Sequence, residues 1–315
     1  MTTNENKKGN IIFKIYNNIT KRVRGKGFGK IPGVKLIHDF LFRKLWSEGN
    51  IVNVQGSKFY VDVNHLDLSM RQTFQAYGGN KVHEKSTTKL FEKVIKKGNV
   101  VLDLGANIGY FTLLSARLVG PKGKVYAFEP EPRNFSFLKK NVELNNYTQV
   151  IVNQKAVGNK KGKVKLYICP YETGHHTINQ FEGIENYTHK DKKITKKFVM
   201  VDLIVLDNFI KDKKIDFIKM DVEGAELLAL RGMAELLEKN KNIKLVIEFF
   251  PLLIESMNSS PKEFINTLIK KHKFKISIIP NDYSAGTIYE LVNTYDDLMK
   301  VCLEKEGHVN LFLKR

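Results

Sequence analysis

The period of the apolar positions changes along the chain near residue 99. Before it, Ile11, Ile15, Ile19 and Val23 recur every four residues, a spacing that lines aliphatic side chains along one stripe of a helix. The run Gly25-Lys-Gly-Phe-Gly29 breaks any helix that reaches it. Residues 51–54 and 58–63 alternate apolar and polar around Gly56 and predict a hairpin. Residues 68–97 read as helices that end at Gly98. From Asn99 onward, short aliphatic runs alternate with amphipathic ones. Strands are predicted at 100–104, 124–129, 150–153, 163–168, 216–220, 244–250, 275–279 and 309–313. Helices are predicted at 110–118, 134–145, 203–210, 225–237 and 261–271, and residues 158–197 are less regular. Strands separated by helices imply an α/β fold, with a mostly parallel sheet covered on both faces. The expected organisation is a basic N-terminal extension with a hairpin, residues 1–65, and one larger domain, residues 66–315.

Composition supports this picture and adds a charge. The chain has 315 residues, which suits one large domain and a small extension. Hydrophobic residues make up 42%, enough for a packed core, so a disordered chain is excluded. Fifty-two Lys and Arg against 33 Asp and Glu leave a formal charge of +19. Nucleic acid, anionic lipid and phosphorylated substrates all answer to such a charge. The excess is mostly lysine scattered among Asn and Ile, which also describes a solvated surface. Neither a known RNA-binding module nor an aromatic-rich basic cluster is found, so nucleic acid is weakly supported. The cations around residues 11–23 leave two readings of that stripe: packing against the rest of the protein, or lying on an anionic membrane face. No 18-residue apolar run is present, and residues 1–10 are polar, so neither a spanning helix nor a secretory signal is expected. Two cysteines, Cys169 and Cys302, are too few for a disulfide framework or a zinc cluster. The expected location is the cytoplasm, with peripheral attachment at the inner membrane face as an alternative.

The sharpest chemical signal is Val100-Val-Leu-Asp-Leu-Gly-Ala-Asn-Ile-Gly-Tyr110, an aliphatic strand that runs into a Gly-rich turn and then a helix. Gly105 permits a turn closed to other side chains and a close approach of ligand to backbone. On this reading a valine at Gly105 blocks the ligand and leaves the chain folded. Asp103 ends the strand. Glu129 ends the next strand, where a carboxylate can accept both hydroxyl hydrogens of a ribose. The pair indicates an adenosine-type ligand at the C-terminal edge of a doubly wound sheet. Asn107 occupies the place where a dinucleotide loop needs its second glycine, and no phosphate-cradling lysine follows. The loop therefore suits a methionine moiety better than a pyrophosphate.

Four segments in this order, Asp103-Leu-Gly-Ala-Asn-Ile-Gly-Tyr110, Gly123-Lys-Val-Tyr-Ala-Phe-Glu-Pro130, Asn141-Val-Glu-Leu-Asn145 and Ile218-Lys-Met-Asp-Val-Glu-Gly-Ala-Glu226, resemble the FkbM family of S-adenosylmethionine-dependent methyltransferases. The similarity covers residues 84–250, over half the chain. It implies a class I methyltransferase (Rossmann-like) fold, with a doubly wound seven-stranded sheet whose last strand is antiparallel. It implies S-adenosyl-L-methionine as cofactor and methyl transfer to oxygen. By motif match, Asp103, Gly105, Asn107 and Gly109, with Ala106 and Tyr110 of the same motif, are expected at the amino-acid half of the cofactor. Glu129, followed by Pro130, is expected at the ribose, and Lys155, Ala156 and Val157 beside the adenine. Glu84 matches an acidic position expected to close the pocket.

Methyl transfer to a hydroxyl needs in-line positioning and a base. Asp221, at the end of the strand at 216–220, is the first candidate and is also expected near the cofactor. Glu223 and Glu226 follow at a helix start, where carboxylates also serve the helix dipole. Glu248 lies in an apolar strand, where an unpaired charge is costly, and is a second candidate base. Asp221, Glu223 and Glu248 resemble magnesium ligands only loosely, and no metal is expected. His175 and His176, in Gly174-His-His-Thr177, are expected to border the acceptor pocket, as ligands of the substrate or as a base. The expected activity is O-methylation of a hydroxyl on a sugar, glycan (lipid-linked ones included) or other small acceptor. The alternatives are an RNA methyltransferase and a non-catalytic basic binding protein on the same fold.

Overall fold

A computed structural model describes residues 15–16, 18–19, 22, 33–45, 51–60, 82–169, 176–178, 197–210, 214–280, 290–304 and 307–315. The chain divides into two compact units, residues 1–81 and 82–315. The boundary expected at residues 65 and 66 falls outside the described residues.

In the smaller unit, Ile15, Tyr16, Asn18, Ile19 and Arg22 are helical, as the four-residue repeat predicts. The Tyr16 hydroxyl donates to the carbonyl of His38, 2.9 Å away, on helix α1 (Val34–Leu45). Strands β1 (Ile51–Val54) and β2 (Ser57–Tyr60) form the expected hairpin. Gln55 and Gly56 both have positive φ, the signature of a tight two-residue turn that matches strand twist. Val52, Val54 and Phe59 are buried on one face, and Ile51 points outward.

The larger unit begins with α2 (Lys85–Val94) and continues with β3 (Val100–Leu104), α3 (Tyr110–Val119), β4 (Lys124–Phe128), α4 (Pro132–Leu144) and β5 (Val150–Asn153). Next come β6 (Ala156–Val157), β7 (Gly162–Tyr167), β8 (Phe198–Ile204), the short α5 (Leu206–Phe209) and β9 (Phe217–Met220). The chain then forms α6 (Glu226–Arg231), α7 (Ala234–Lys239), β10 (Lys244–Phe249), α8 (Pro251–Ser256), α9 (Pro261–Asn266) and β11 (Lys275–Ile278). It ends with β12 (Glu290–Val292), α10 (Tyr295–Glu304) and β13 (Val309–Lys314).

The main sheet runs β12-β11-β13-β10-β9-β3-β4-β5. Strands β5, β4, β3, β9 and β10 are mutually parallel, and β13 inserts antiparallel between β10 and β11. This is the expected seven-stranded class I frame with its last strand reversed. The sheet also carries an eighth strand, β12, antiparallel to β11 at the edge. Three residues are too short a run for a strand to be read from the sequence. The central strands are aliphatic on both faces, as a sheet covered by helices on each side requires: Leu102, Leu104, Ile218, Met220, Leu245 and Ile247 are all buried.

Three sequence expectations change. The helix predicted at 203–210 is shorter: Leu203 and Ile204 end strand β8, which pairs antiparallel with β7 and parallel with β6 in a separate three-stranded sheet, and only α5 (Leu206–Phe209) is helical. Period-two alternation explains this, with Val201 and Leu203 buried and Met200 and Asp202 exposed. The helix predicted at 225–237 splits into α6 and α7 around Gly232, because a Cβ there would sit 2.0 Å from the Gly158 carbonyl oxygen. The helix predicted at 261–271 changes after α9 to a π-helical turn, Thr267–Lys271.

All five parallel strands end at the same edge of the sheet. The loops after β3, β4, β9 and β10 therefore converge where an open α/β sheet binds its ligand.

Candidate active site

On the β3–β4 side, the glycine-rich loop folds over the end of its neighbour strand. The N–H groups of Gly105 and Ala106 both donate to the carbonyl of Phe128, at 3.0 and 2.9 Å. Asn107, with φ of 50°, donates its N–H to Glu129 Oε2 at 2.7 Å, and Glu131 N–H donates to Oε1 at 2.9 Å. The carboxylate of Glu129 is thus held by two backbone amides, with lone pairs left on each oxygen for hydroxyl donors. Burial pushes its pKa up, against those two bonds, to about 7. Gly109 caps α3, and the Asn141 side chain donates to the Ile108 carbonyl at 2.8 Å, so the quoted asparagine of the third motif braces this loop. Pro130 is half-buried between Glu129 and α4. The Tyr110 hydroxyl sits 3.0 Å from that of Thr88 and donates to the His83 carbonyl at 3.3 Å. Burial first, and Glu84 as well, raise its pKa to about 12, so it serves as a neutral hydrogen-bonding wall.

Gly105 is needed for a reason other than ligand access. Its φ is +75°, and a Cβ would lie 1.7 Å from the backbone oxygen of Asp221. The cofactor loop and the end of β9 cross in direct contact there. A valine at Gly105 collides with the chain's own backbone, so the expectation of a folded but ligand-blind variant is corrected.

Asp103 is buried, accepts from the Thr112 hydroxyl at 2.5 Å through Oδ2, and has no hydrogen-bond partner at Oδ1. Burial raises its pKa, opposed by Lys219 and Thr112. Asn107 Oδ1 is likewise buried without a partner. Two orphaned acceptors on one loop call for a ligand with N–H donors. The ammonium of a methionine moiety supplies such donors, and the Glu129 oxygens suit ribose hydroxyls, so these residues fit S-adenosylmethionine. Ala156 and Val157 lie in β6 with buried side chains, and Lys155 Nζ pairs with Asp202 Oδ2 at 3.1 Å. Glu84 stands before α2 and accepts from Asn310 Nδ2 at 3.0 Å, with His83 Nε2 3.4 Å away. Asn310 is the register partner of Glu248, which brings Glu84 toward the β10 side of the crevice. Burial pushes the Glu84 pKa up, but the hydrogen bond and charge of His83 and the charge of Lys219 outweigh it and leave it lowered.

The β9–β10 side is crowded with acid. Asp221, Glu223 and Glu248 each place a carboxylate oxygen within 4.8 Å of the others. Burial raises the pKa of Glu223 well above the carboxylate range, reinforced by the charges of Glu248 and Asp221. Burial raises Glu248 in the same way, reinforced by the charge of Asp221 and a side-chain hydrogen bond to it. Burial and mutual charge thus favour the protonated forms of Glu223 and Glu248. Hard oxygen donors at this spacing are also the chemistry a divalent cation takes. Glu226 has a different job: its Oε1 accepts from the N–H groups of Val222 and Gly224, both at 3.2 Å, and so closes the turn. Thr177 donates to the Glu223 carbonyl at 2.8 Å, which brings the end of the irregular segment onto this cluster. His176 Nδ1 accepts from the Cys169 N–H at 3.1 Å, so that nitrogen is engaged by backbone; His175 lies outside the described residues. Cys169 and Cys302 are buried and are not joined in a disulfide.

The sequence model described as methyltransferase FkbM domain matches residues 103–276. The chain belongs to the FkbM methyltransferase family. Similar proteins include Methyltransferase 1 of Beauveria bassiana, 33% identical over 145 residues that cover 42% of this chain and 57% of that protein. The hexuronic acid methyltransferase AglP of Haloferax volcanii is 28% identical over 158 residues, 49% of this chain and 58% of its own. The 31-O-demethyl-FK506 methyltransferase FkbM of Streptomyces tacrolimicus is 29% identical over 162 residues, 45% of this chain and 62% of its own. This chain thus spans less than two thirds of these relatives' lengths. Among solved structures, methyltransferase FkbM of Methylobacillus flagellatus matches at 16% identity and a TM-score of 0.38, covering 72% of this chain and 50% of that one.

This FkbM-family site also contains a residue that the sequence reading passed over. Lys219 lies in β9 and is buried. Its Nζ donates to the Gly105 carbonyl at 2.8 Å and to Asp221 Oδ2 at 3.0 Å, and stands 3.9 Å from Asp103 Oδ1. Burial alone lowers an ammonium's pKa, but Asp221 and Asp103 overcome it and leave Lys219 raised and charged. The available signal was a lysine in the aliphatic run Phe217-Ile-Lys-Met220, a place where charge is rarely buried unless paired.

Proposed function

We propose that this protein transfers a methyl group from S-adenosylmethionine to a hydroxyl oxygen of a sugar or similar small acceptor. The observation that carries this reading is the acid cluster beside the glycine-rich loop, with Asp221 3.0 Å from the Lys219 ammonium and the carboxyl pKa values of Glu223 and Glu248 raised by burial and by their neighbours' charge. Bound S-adenosylmethionine supplies an electrophilic methyl group. The loop 105–109 and Glu129 orient its two halves, and Asp221 stands where the loop meets β9, ready to accept the acceptor's hydroxyl proton. The net charge of +19 by itself does not favour RNA, since no aromatic-rich basic cluster accompanies it in the sequence. The relatives named for a hexuronic acid and for FK506 support a small hydroxylated acceptor.

A lipid-linked acceptor at the inner membrane face is part of this reading. Its support is the helical stripe in which Ile15 and Ile19 are exposed, in a basic stretch. Among the described residues no helix is long and apolar enough to cross a membrane. Binding to phosphatidylglycerol vesicles that is lost on deletion of residues 1–24 supports the surface reading; equal binding by the truncated chain refutes it.

The main test combines calorimetry with S-adenosylmethionine and transfer of labelled methyl into glycan, lipid, protein and RNA fractions. Heat that is lost in Glu129→Ala, with label in the glycan or glycolipid pool, is the expected result. No heat from the intact chain favours a non-catalytic binding protein, and label in RNA overturns the acceptor class.

A further inference from the structure

We propose that Lys219 is a positioning residue for the transfer: its ammonium ties the carbonyl of the cofactor loop at Gly105 to the acceptor-side carboxylate of Asp221, and so fixes donor and base relative to each other. The proposal rests on the methyl-transfer reading above and deepens it.

Three observations support it. The ammonium donates at once to the Gly105 carbonyl, 2.8 Å away on the loop after β3, and to the Asp221 carboxylate, 3.0 Å away just past the end of its own strand β9, which neighbours β3 in the sheet. The same two segments are in van der Waals contact at Gly105 and Asp221, so any shift of one is felt by the other. The lysine is itself clamped, with Phe111 beneath it at 5.7 Å and Asp103 at 3.9 Å, so it has little freedom to follow a moving partner. A purely structural counter-ion would need only to lie near its carboxylates. This one also takes a neutral carbonyl on the ligand loop. In-line transfer depends steeply on the distance between the base, the acceptor and the methyl carbon, and a shift of about 1 Å costs roughly a hundredfold.

The test needs no acceptor. S-adenosylmethionine labelled with carbon-13 in its methyl group is added to the full-length protein, and the bound methyl resonance is recorded for wild type, Asp221→Asn, Lys219→Met and Lys219→Arg. Calorimetry with the same ligand runs beside it. Asp221→Asn is expected to move the resonance, because on the methyl-transfer reading its carboxylate would serve the reacting centre. Lys219→Met is expected to move or broaden it at least as much and to weaken binding about tenfold, since the loop loses its tether. Lys219→Arg keeps the charge and guards against misfolding of the methionine variant. It is expected to restore affinity to within about threefold, yet leave the resonance displaced, because a planar fork cannot reproduce a point donor. A resonance in folded Lys219→Met or Lys219→Arg identical to wild type, while Asp221→Asn moves it, overturns the proposal alone. A resonance that Asp221→Asn leaves in place also overturns it, since the base then lies away from the methyl. No binding by the wild-type chain overturns the cofactor reading itself, and this proposal with it.

Discussion

At the ends of β3 and β4, the acid that matters is surrounded by backbone. Glu129 receives the N–H groups of Asn107 and Glu131. At the ends of β9 and β10, the acids are surrounded by one another, and Glu223 and Glu248 are raised by burial and by their neighbours' charge. Fixed amide donors define a geometry for hydroxyl groups and suit recognition of a constant ligand. Mutual repulsion among buried acids instead favours proton-holding at Glu223 and Glu248, and suits chemistry on a proton. Lys219 stands at the seam, with a bond to each side.

The most drastic way to break this comparison is to push the two sides apart. Gly105→Val drives a side chain into the Asp221 carbonyl, and little soluble, cooperatively folding protein is expected by circular dichroism and thermal melting. A normally folded variant would mean that the two loops are not in contact. Next in size, Asp221→Asn should slow methyl transfer by roughly a hundredfold or more while S-adenosylmethionine affinity stays within about threefold; a loss of affinity as large as the loss of rate would place Asp221 on the ligand side. Glu129→Ala should show the reverse, with affinity by calorimetry falling about a hundredfold as two charge-assisted hydroxyl bonds are lost.

A smaller effect follows from the Glu129 pKa of about 7. Raised above its ordinary value, this carboxyl is held protonated more tightly in the folded chain. Its contribution to stability is therefore present at low pH and falls as pH rises toward about 7. Ribose hydroxyls prefer the ionised form as acceptor, so S-adenosylmethionine affinity should rise about tenfold between pH 6 and 8. Glu129→Gln should flatten that profile, and a slope unchanged in the variant would assign it to another group. Glu248→Gln should do least. Burial and the charge of Asp221 favour its protonated form, which the amide imitates, so transfer should stay within about threefold of wild type. A collapse in rate would make Glu248 the base in place of Asp221.

These two sides differ also in how plainly they are written in the chain. The cofactor side is local: strand, loop and helix are contiguous from Val100 to Val119, and Glu129 follows at the next strand end. Local spacing fixes local geometry, so the strand, the glycine-rich loop and the carboxylate at the next strand end were legible. The acceptor side joins residues from distant segments. Thr177 reaches Glu223, and Asn310 reaches Glu84 across 226 positions. No period or motif connects them. Strand β8 went unread, and its last two residues were taken into the helix that follows, because its pairing partner, β7, is supplied only by the fold.

The amino-acid order alone determined the alternation of strands and helices, the parallel sheet and the loop that ends in Glu129, because each depends on side chains a few residues apart. The tertiary structure decided what the acids do. Their charge states depend on burial and on neighbours brought together across the sheet, and a lysine that reads as one more apolar-strand anomaly becomes the link between two loops only once β9 lies beside β3.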